Sequence, residues 1–142
     1  MHTNAERILA HVENVTEDDN LATARERALD LGAEPIPAAV GAALAMFTRM
    51  LDARTVVEVG TGAGVSGLWL LRGLREDGVL TTIDSEPEHQ RAAKTAFREA
   101  GVTASRPPPI NRRPLDVRPR LADSADDRVF VAAPPPDHPP NG

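Results

Sequence analysis

Ten residues of the chain, Glu58 to Gly67, read EVGTGAGVSG and set Gly60, Gly62 and Gly64 directly after an apolar, β-branched run. Glycine at such a junction permits a tight turn and lets the backbone approach a ligand. The helix that follows offers N–H groups with no intrahelical partner. One strand later the chain delivers Asp84, a carboxylate able to accept two hydrogen bonds from a ribose diol. A glycine turn and a diol-binding acid on adjacent strands together describe a nucleoside site at the carboxyl edge of a parallel sheet. A plainer reading stands beside this one, because glycine-rich turns also serve as simple connectors. Glu58 can equally be a solvated or helix-capping acid, and Ser66 a first-turn hydroxyl that satisfies its own helix.

The identity of the nucleoside turns on the flanking residues. A literal G-x-G-x-x-G occurs at Gly62, Gly64 and Gly67, which brings a dinucleotide such as NAD into consideration. Two features oppose it. An acid inside the preceding strand gives the pattern E-x-G-x-G-x-G, and a long helical leader precedes the first strand. Both suit S-adenosylmethionine, whose single adenosine and methionine need no pyrophosphate cradle.

These residues need particular elements to position them. Thr55 to Gly60 and Val79 to Asp84 read as central parallel strands covered on both faces. Between them VSGLWLLRGLR reads as a helix apolar nearly all round. SEPEHQRAAKTAFREAG follows as a helix with a Ser85/Glu88 capping box, Pro87 in its first turn, a stripe of Ala93, Ala96, Phe97 and Ala100, and Gly101 as its stop. Strand and helix alternating at this spacing predict a right-handed βαβ unit. A third strand is expected near Val102 to Ile110, interrupted by Pro107, Pro108 and Pro109, so at most an edge strand. A short helix over 115–122 then leads to a fourth strand at Val129 to Val131. Three leader helices precede the sheet. Their inward residues are expected to be Ile8, Leu9, Val12 and Val15, then Leu21, Ala24, Ala28 and Leu31, with Gly32 as a stop, and finally Val40, Ala43, Leu44, Phe47, Met50 and Leu51.

Composition bounds the function classes. The chain of 142 residues has 41% hydrophobic and 26% charged residues and a net charge of −5, with no cysteine. It suits one soluble domain and excludes disulfides, thiolate metal sites and a cysteine nucleophile. No basic patch gathers for nucleic acid, no apolar run is long enough to cross a bilayer, and the N-terminus lacks a signal-peptide core. The expected location is cytoplasmic. Fifteen arginines stand against the single Lys94, a coding bias more than a function. Ten of thirteen prolines fall between Pro107 and Pro140, which marks a boundary in foldability. The expected organisation is a helical leader over 1–52 belonging to the same domain, a Rossmann-like core over 53–133, and a proline-rich, disordered tail over 134–142.

The stretches ARERALDLGAEPIPAAVGAAL, VVEVGTGAGVSGLWLLRGL, GVLTTIDSEPEHQRAAKTAFREAG and, less closely, LADSADDRVFV resemble the class I S-adenosylmethionine-dependent O-methyltransferases. Within them the chain is similar to small bacterial members of the caffeoyl-CoA and catechol type. The resemblance runs closely over 20–105 and loosely over 110–133. It implies an α/β fold with a Rossmann-like parallel sheet in strand order 3-2-1-4 and a three-helix leader. It also implies cofactor roles for Ile36 at the methionine end, for Glu58, Gly60, Thr61, Gly62 and Gly64 around the amino-acid portion with Ser66 opposite, for Asp84 at the ribose, and for Pro114 near the adenine. Proline at 114 has no N–H to donate there.

The same resemblance implies a divalent metal whose first ligand would fall at Ala132, with Pro134 at a second acidic position. Alanine offers no oxygen to a hard cation, so no metal ligand and no catalytic residue is assigned. Asp137 and His138, between prolines, read as solvated. The family sheet continues beyond a fourth strand, so the expectation is a truncated, N-terminal half with an exposed strand at 129–131 able to self-associate. The function expected is an S-adenosylmethionine-dependent O-methyltransferase-like protein with the metal and catalytic half lost, its partner a small-molecule acceptor of unread identity. The alternatives are an NAD-dependent oxidoreductase fragment and a non-catalytic nucleoside-binding remnant.

Overall fold

The computed structural model describes residues 3–102, 110–112 and 128–132. Three helices lead, α1 (Asn4–Glu13), α2 (Asp19–Asp30) and α3 (Ala38–Met50). The chain then alternates β1 (Thr55–Val59), α4 (Val65–Gly73), β2 (Val79–Ile83) and α5 (Pro87–Glu99), followed by β3 (Ile110–Arg112) and β4 (Arg128–Ala132). The four strands form one sheet in the order β3-β2-β1-β4, parallel at every pairing. This is the expected α/β architecture and strand order. The third strand lies beyond the proline run, at 110–112, because a ladder needs the N–H that Pro107 to Pro109 lack. It forms one edge of the described sheet and β4 the other. The expected helix at 115–122, Pro114, Asp137, His138 and the tail over 134–142 lie outside the described residues.

Register decides what each strand presents. Val56 pairs with Leu80 and Glu58 with Thr82, so all four residues share one face. That face lies beneath α4 and α5, where Val56, Leu80, Leu68, Leu70, Ala93, Ala96 and Phe97 form the main core. The opposite face carries Val57 and Ile83 in a smaller buried cluster. The leader helices pack on the helices of the sheet. Helix α3 lies along α4, α2 packs on α5, and Leu21, Ala24 and Ala28 are buried as expected.

Helix α3 turns a different flank inward from the expected one. Val40, Phe47, Met50 and Leu51 are exposed, Phe47 at 53% and Met50 at 73%, while Ala43 and Leu44 are half-buried. The buried residues are instead Gly41 and Thr48. Close helix approach is the cause. A Cβ on Gly41 would lie 2.2 Å from Cδ1 of Trp69, and one on Gly73 2.1 Å from the carbonyl oxygen of Ala45. Only a flank of small residues lets the two backbones come so near, and that flank wins over the larger apolar side chains. Ile8 in α1 is exposed as well, while Val15 packs on the core.

The start of α5 also differs from the expectation. The helix begins at Pro87 with Glu86 as its N-cap residue and no capping side chain, so Ser85 and Glu88 form no capping box. The Asp84 carboxylate takes the Glu86 N–H at 2.8 Å in place of a serine cap. Gly32 and Gly101, at φ 71° and 72°, end α2 and α5 in the left-handed conformation expected of helix stops.

The close α3–α4 approach generates a prediction. Gly73→Ala forces a methyl into the Ala45 backbone and is expected to cost about 1–3 kcal/mol, the range for overpacking. An exposed control, Lys94→Ala, is expected to stay within about 0.5 kcal/mol. Urea unfolding followed by circular dichroism measures both.

Candidate functional site

Because β1 and β2 run parallel with Val59 opposite Ile83, the turns after both strands emerge at one edge. The Gly60 N–H donates to the Ile83 carbonyl at 2.8 Å and extends the pairing into the loop. Gly60, Gly62 and Gly64 adopt φ of 92°, 51° and 95°, values that side-chain-bearing residues rarely take. Gly64 caps α4, and a Cβ on it would press on the Cα of Ala93 at 3.2 Å in addition to the strain of its positive φ. Gly62 is the opposite case. Nothing lies within 4 Å of where its Cβ would be, so that face of the loop is open.

Asp84, nearly buried at 8% exposure, is fixed against this loop. The Gly62 N–H donates to its Oδ2 at 3.0 Å and the Glu86 N–H to its Oδ1 at 2.8 Å. Gln90 donates from Nε2 to the Asp84 carbonyl at 2.6 Å, and Nδ1 of His89 stands 3.3 Å from Oδ2. The acid expected at the ribose is thus held in one orientation beside an open glycine.

Beneath the loop is a second polar cluster. Glu58 is buried under α4. It accepts from Ser66 Oγ through Oε1 and from Thr82 Oγ1 at 2.8 Å through Oε2. Thr61 Oγ1 lies 2.7 Å from Thr82 Oγ1. Thr82 spends its one proton on Glu58, so Thr61 is the donor between the two threonines. Glu58 is therefore neither solvated nor a helix cap, and Ser66 bonds the strand instead of its own helix. Burial pushes the Glu58 carboxyl up to about 7. The Ser66 and Thr82 hydrogen bonds oppose that rise, and the Asp84 charge adds to it.

Of the residues singled out in the sequence, hydrogen bonds join Glu58, Ser66 and Thr61 through Thr82, and Gly62 to Asp84. Ile36 stands apart from both groups and packs, half-buried, against the main core. Its carbonyl accepts from Arg25 Nη2 at 2.8 Å, and the same guanidinium grips Glu17 at 2.6 and 2.8 Å. Glu17 also faces Trp69 Nε1 at 3.4 Å. Sequence reasoning missed Thr82, His89, Gln90 and Arg25. Thr82 alone carried a signal, since pairing two equal strands end to end sets it opposite Glu58. Among the described residues, no group of three or more His, Cys, Asp or Glu side chains could hold a metal ion.

The sign of the Glu58 effect follows from its raised value. An unfolded glutamate releases its proton near 4.5, whereas the folded one keeps it to about 7. Stability is therefore highest below that window, falls as pH rises through it and is flat above, by about 3 kcal/mol in all. Glu58→Gln should flatten this fall, seen as a smaller difference between urea midpoints at pH 5 and pH 8. An unchanged pH dependence would contradict the burial of an ionisable group here.

Comparison with known proteins gives the family. A family model described as O-methyltransferase matches residues 10–126. A curated O-methyltransferase-family protein of Mycobacteroides abscessus is 58% identical over 135 residues, which cover 94% of this chain and 63% of the relative. Another, from Mycobacterium sp. strain KMS, is 59% identical over 136 residues, 95% of this chain and 62% of the relative. Among solved structures, the O-methyltransferase TomG of Streptomyces achromogenes, involved in tomaymycin synthesis and in complex with SAM, superimposes with a TM-score of 0.74 at 27% identity. That match covers 92% of this chain and 62% of TomG. The chain thus spans less than two thirds of the length of these relatives. With the family model covering most of its residues, the chain belongs to the O-methyltransferase family.

Proposed function

We propose that this chain binds S-adenosylmethionine at the glycine loop and Asp84, as the cofactor-holding part of an O-methyltransferase for a small hydroxyl-bearing acceptor. The observation that carries the reading is the Asp84 carboxylate, fixed by the Gly62 N–H at 3.0 Å beside the open face of Gly62. A pre-oriented acceptor next to free space suits a ribose, and the complex of TomG with SAM supports the same choice.

The cofactor would supply a methyl group on a positively charged sulfur, activated for transfer to an oxygen nucleophile. The chain's own residues bind and orient it. Asp84 accepts the ribose hydroxyls, while Gly60, Thr61, Gly62 and Gly64 let the backbone follow the amino-acid portion. Ser66, tied to Glu58, faces that portion from α4. Ile36 gives an apolar wall at the methionine end, its backbone steadied by Arg25. The divalent metal that the family resemblance implies does not fit Ala132, which pairs with Val59 and has only a methyl side chain. No step is assigned to a metal.

No described helix is long and apolar enough to cross a membrane, and we place the protein in the cytoplasm. As the edge of the described sheet, β4 favours strand-to-strand self-association at high concentration. Size-exclusion chromatography over a concentration series tests that, a monomer throughout being the contrary result.

Two measurements test the function. Titration calorimetry with S-adenosylhomocysteine should show binding that Asp84→Ala weakens about 10-fold or more, the worth of a charge-assisted hydrogen bond. Heat with NAD and none with S-adenosylhomocysteine would reverse the assignment. Incubation of the 142-residue chain with labelled S-adenosylmethionine, a catechol and Mg²⁺ should give no metal-stimulated methylation, and turnover abolished by EDTA would show that a metal site exists.

A further inference from the structure

The Asp84 carboxylate has about four lone-pair positions. The described residues fill three. Oδ1 accepts from the Glu86 N–H at 2.8 Å, Oδ2 from the Gly62 N–H at 3.0 Å, and His89 Nδ1 stands on Oδ2 at 3.3 Å. An ionised carboxylate only accepts, so Nδ1 carries the proton in this contact. Among the described residues' contacts, a single position is left, on Oδ1. A vicinal diol brings two O–H donors, one more than the vacancy accommodates.

The three occupants differ in how readily they leave. The Gly62 and Glu86 donors are backbone groups, set by the loop after β1 and by the entry to α5. His89 makes the longest of the three bonds, from a side chain 23% exposed that can turn into water. We propose that His89 is a specificity-determining residue of the Asp84 site: it holds the second acceptor position that a vicinal diol requires. A ligand with both ribose hydroxyls must displace it, and a ligand with one need not. This rests on the nucleoside reading above and adds to it a competitor built into the first turn of α5. His89 thereby lowers the site's preference for a diol over a single hydroxyl.

The test compares adenosine with 2′-deoxyadenosine by titration calorimetry on the 142-residue chain. In His89→Ala the preference for adenosine over 2′-deoxyadenosine should rise about five-fold, the worth of one hydrogen bond. His89→Gln, whose amide N–H can take the same oxygen, should return the ratio toward that of the unaltered chain. A merely structural role for His89 would lower the melting temperature and weaken both nucleosides alike, leaving the ratio where it was. An unchanged or lowered ratio in His89→Ala, or an equal rise in both variants, overturns the proposal while the nucleoside reading stands. Failure of the unaltered chain to bind either nucleoside or S-adenosylhomocysteine overturns both together.

Discussion

The parallel pairing of β1 with β2, residue for residue from Thr55 with Val79 to Val59 with Ile83, is the constraint on which the carboxyl edge depends. Because the side-chain period of a strand is two, a slip of one residue would carry Glu58 to the opposite face. It would lose Thr82, and the loop after β1 would no longer meet Asp84. The same register leaves Val56 and Leu80 in the main core, so the apolar contacts that stabilise the pairing also fix the polar ones. The Gly60 N–H on the Ile83 carbonyl continues the ladder one step into the loop, which starts the glycine turn from a defined point.

A second constraint acts from the leader. Helix α4 carries Ser66 to Glu58, and Gly67 lets it pack closely on α5, since a Cβ there would meet the Phe97 ring at 2.8 Å. From the other side α3 presses on α4 through Gly41 and against Gly73. The helix carrying Ser66 is thus held between two layers by glycines outside the ligand loop. The aromatic ring of Trp69, with the Arg72 guanidinium 4.7 Å from its centroid, continues this contact toward Glu17 and Arg25. The leader therefore helps to set the geometry of the loop as well as covering the core.

Strands β1, β2 and β4 and the helix boundaries set by Gly32 and Gly101 were legible because each rests on a local signal or on the run of apolar residues. The strand order came instead from the family resemblance, and the third strand lies later than expected. The meeting of Gly62 with Asp84 was legible too, since parallel strands deliver their ends to one edge. What escaped the sequence has a common cause. The inward flank of α3 was misjudged because hydrophobicity counts how much a side chain gains by burial and not how closely two backbones must approach. The Ser85/Glu88 capping box was a sound pattern that lost to Asp84, whose carboxylate reaches the same helix start from the strand before it. Thr82 acts through Glu58, 24 residues away, and His89 and Arg25 reach back across a turn to Asp84 and Glu17, pairs that no helical or strand spacing rule reveals.

Glu58 ties these layers together through the direction of its hydrogen bonds. While the carboxylate is ionised it can only accept, so Ser66 and Thr82 both turn their protons inward, and Thr61 turns its own toward Thr82. Ser66, half-buried, then presents only lone pairs to whatever lies outside. Once Glu58 is protonated its own O–H can serve Ser66, whose proton is released to point outward. One buried proton therefore decides whether the Ser66 hydroxyl offers a donor or only acceptors. With the carboxyl raised to about 7, both arrangements lie within reach near neutral pH, at a cost set by burial and offset by the two hydroxyls of Ser66 and Thr82. A solvated carboxylate at the same place would stay ionised and leave the edge with a single polarity.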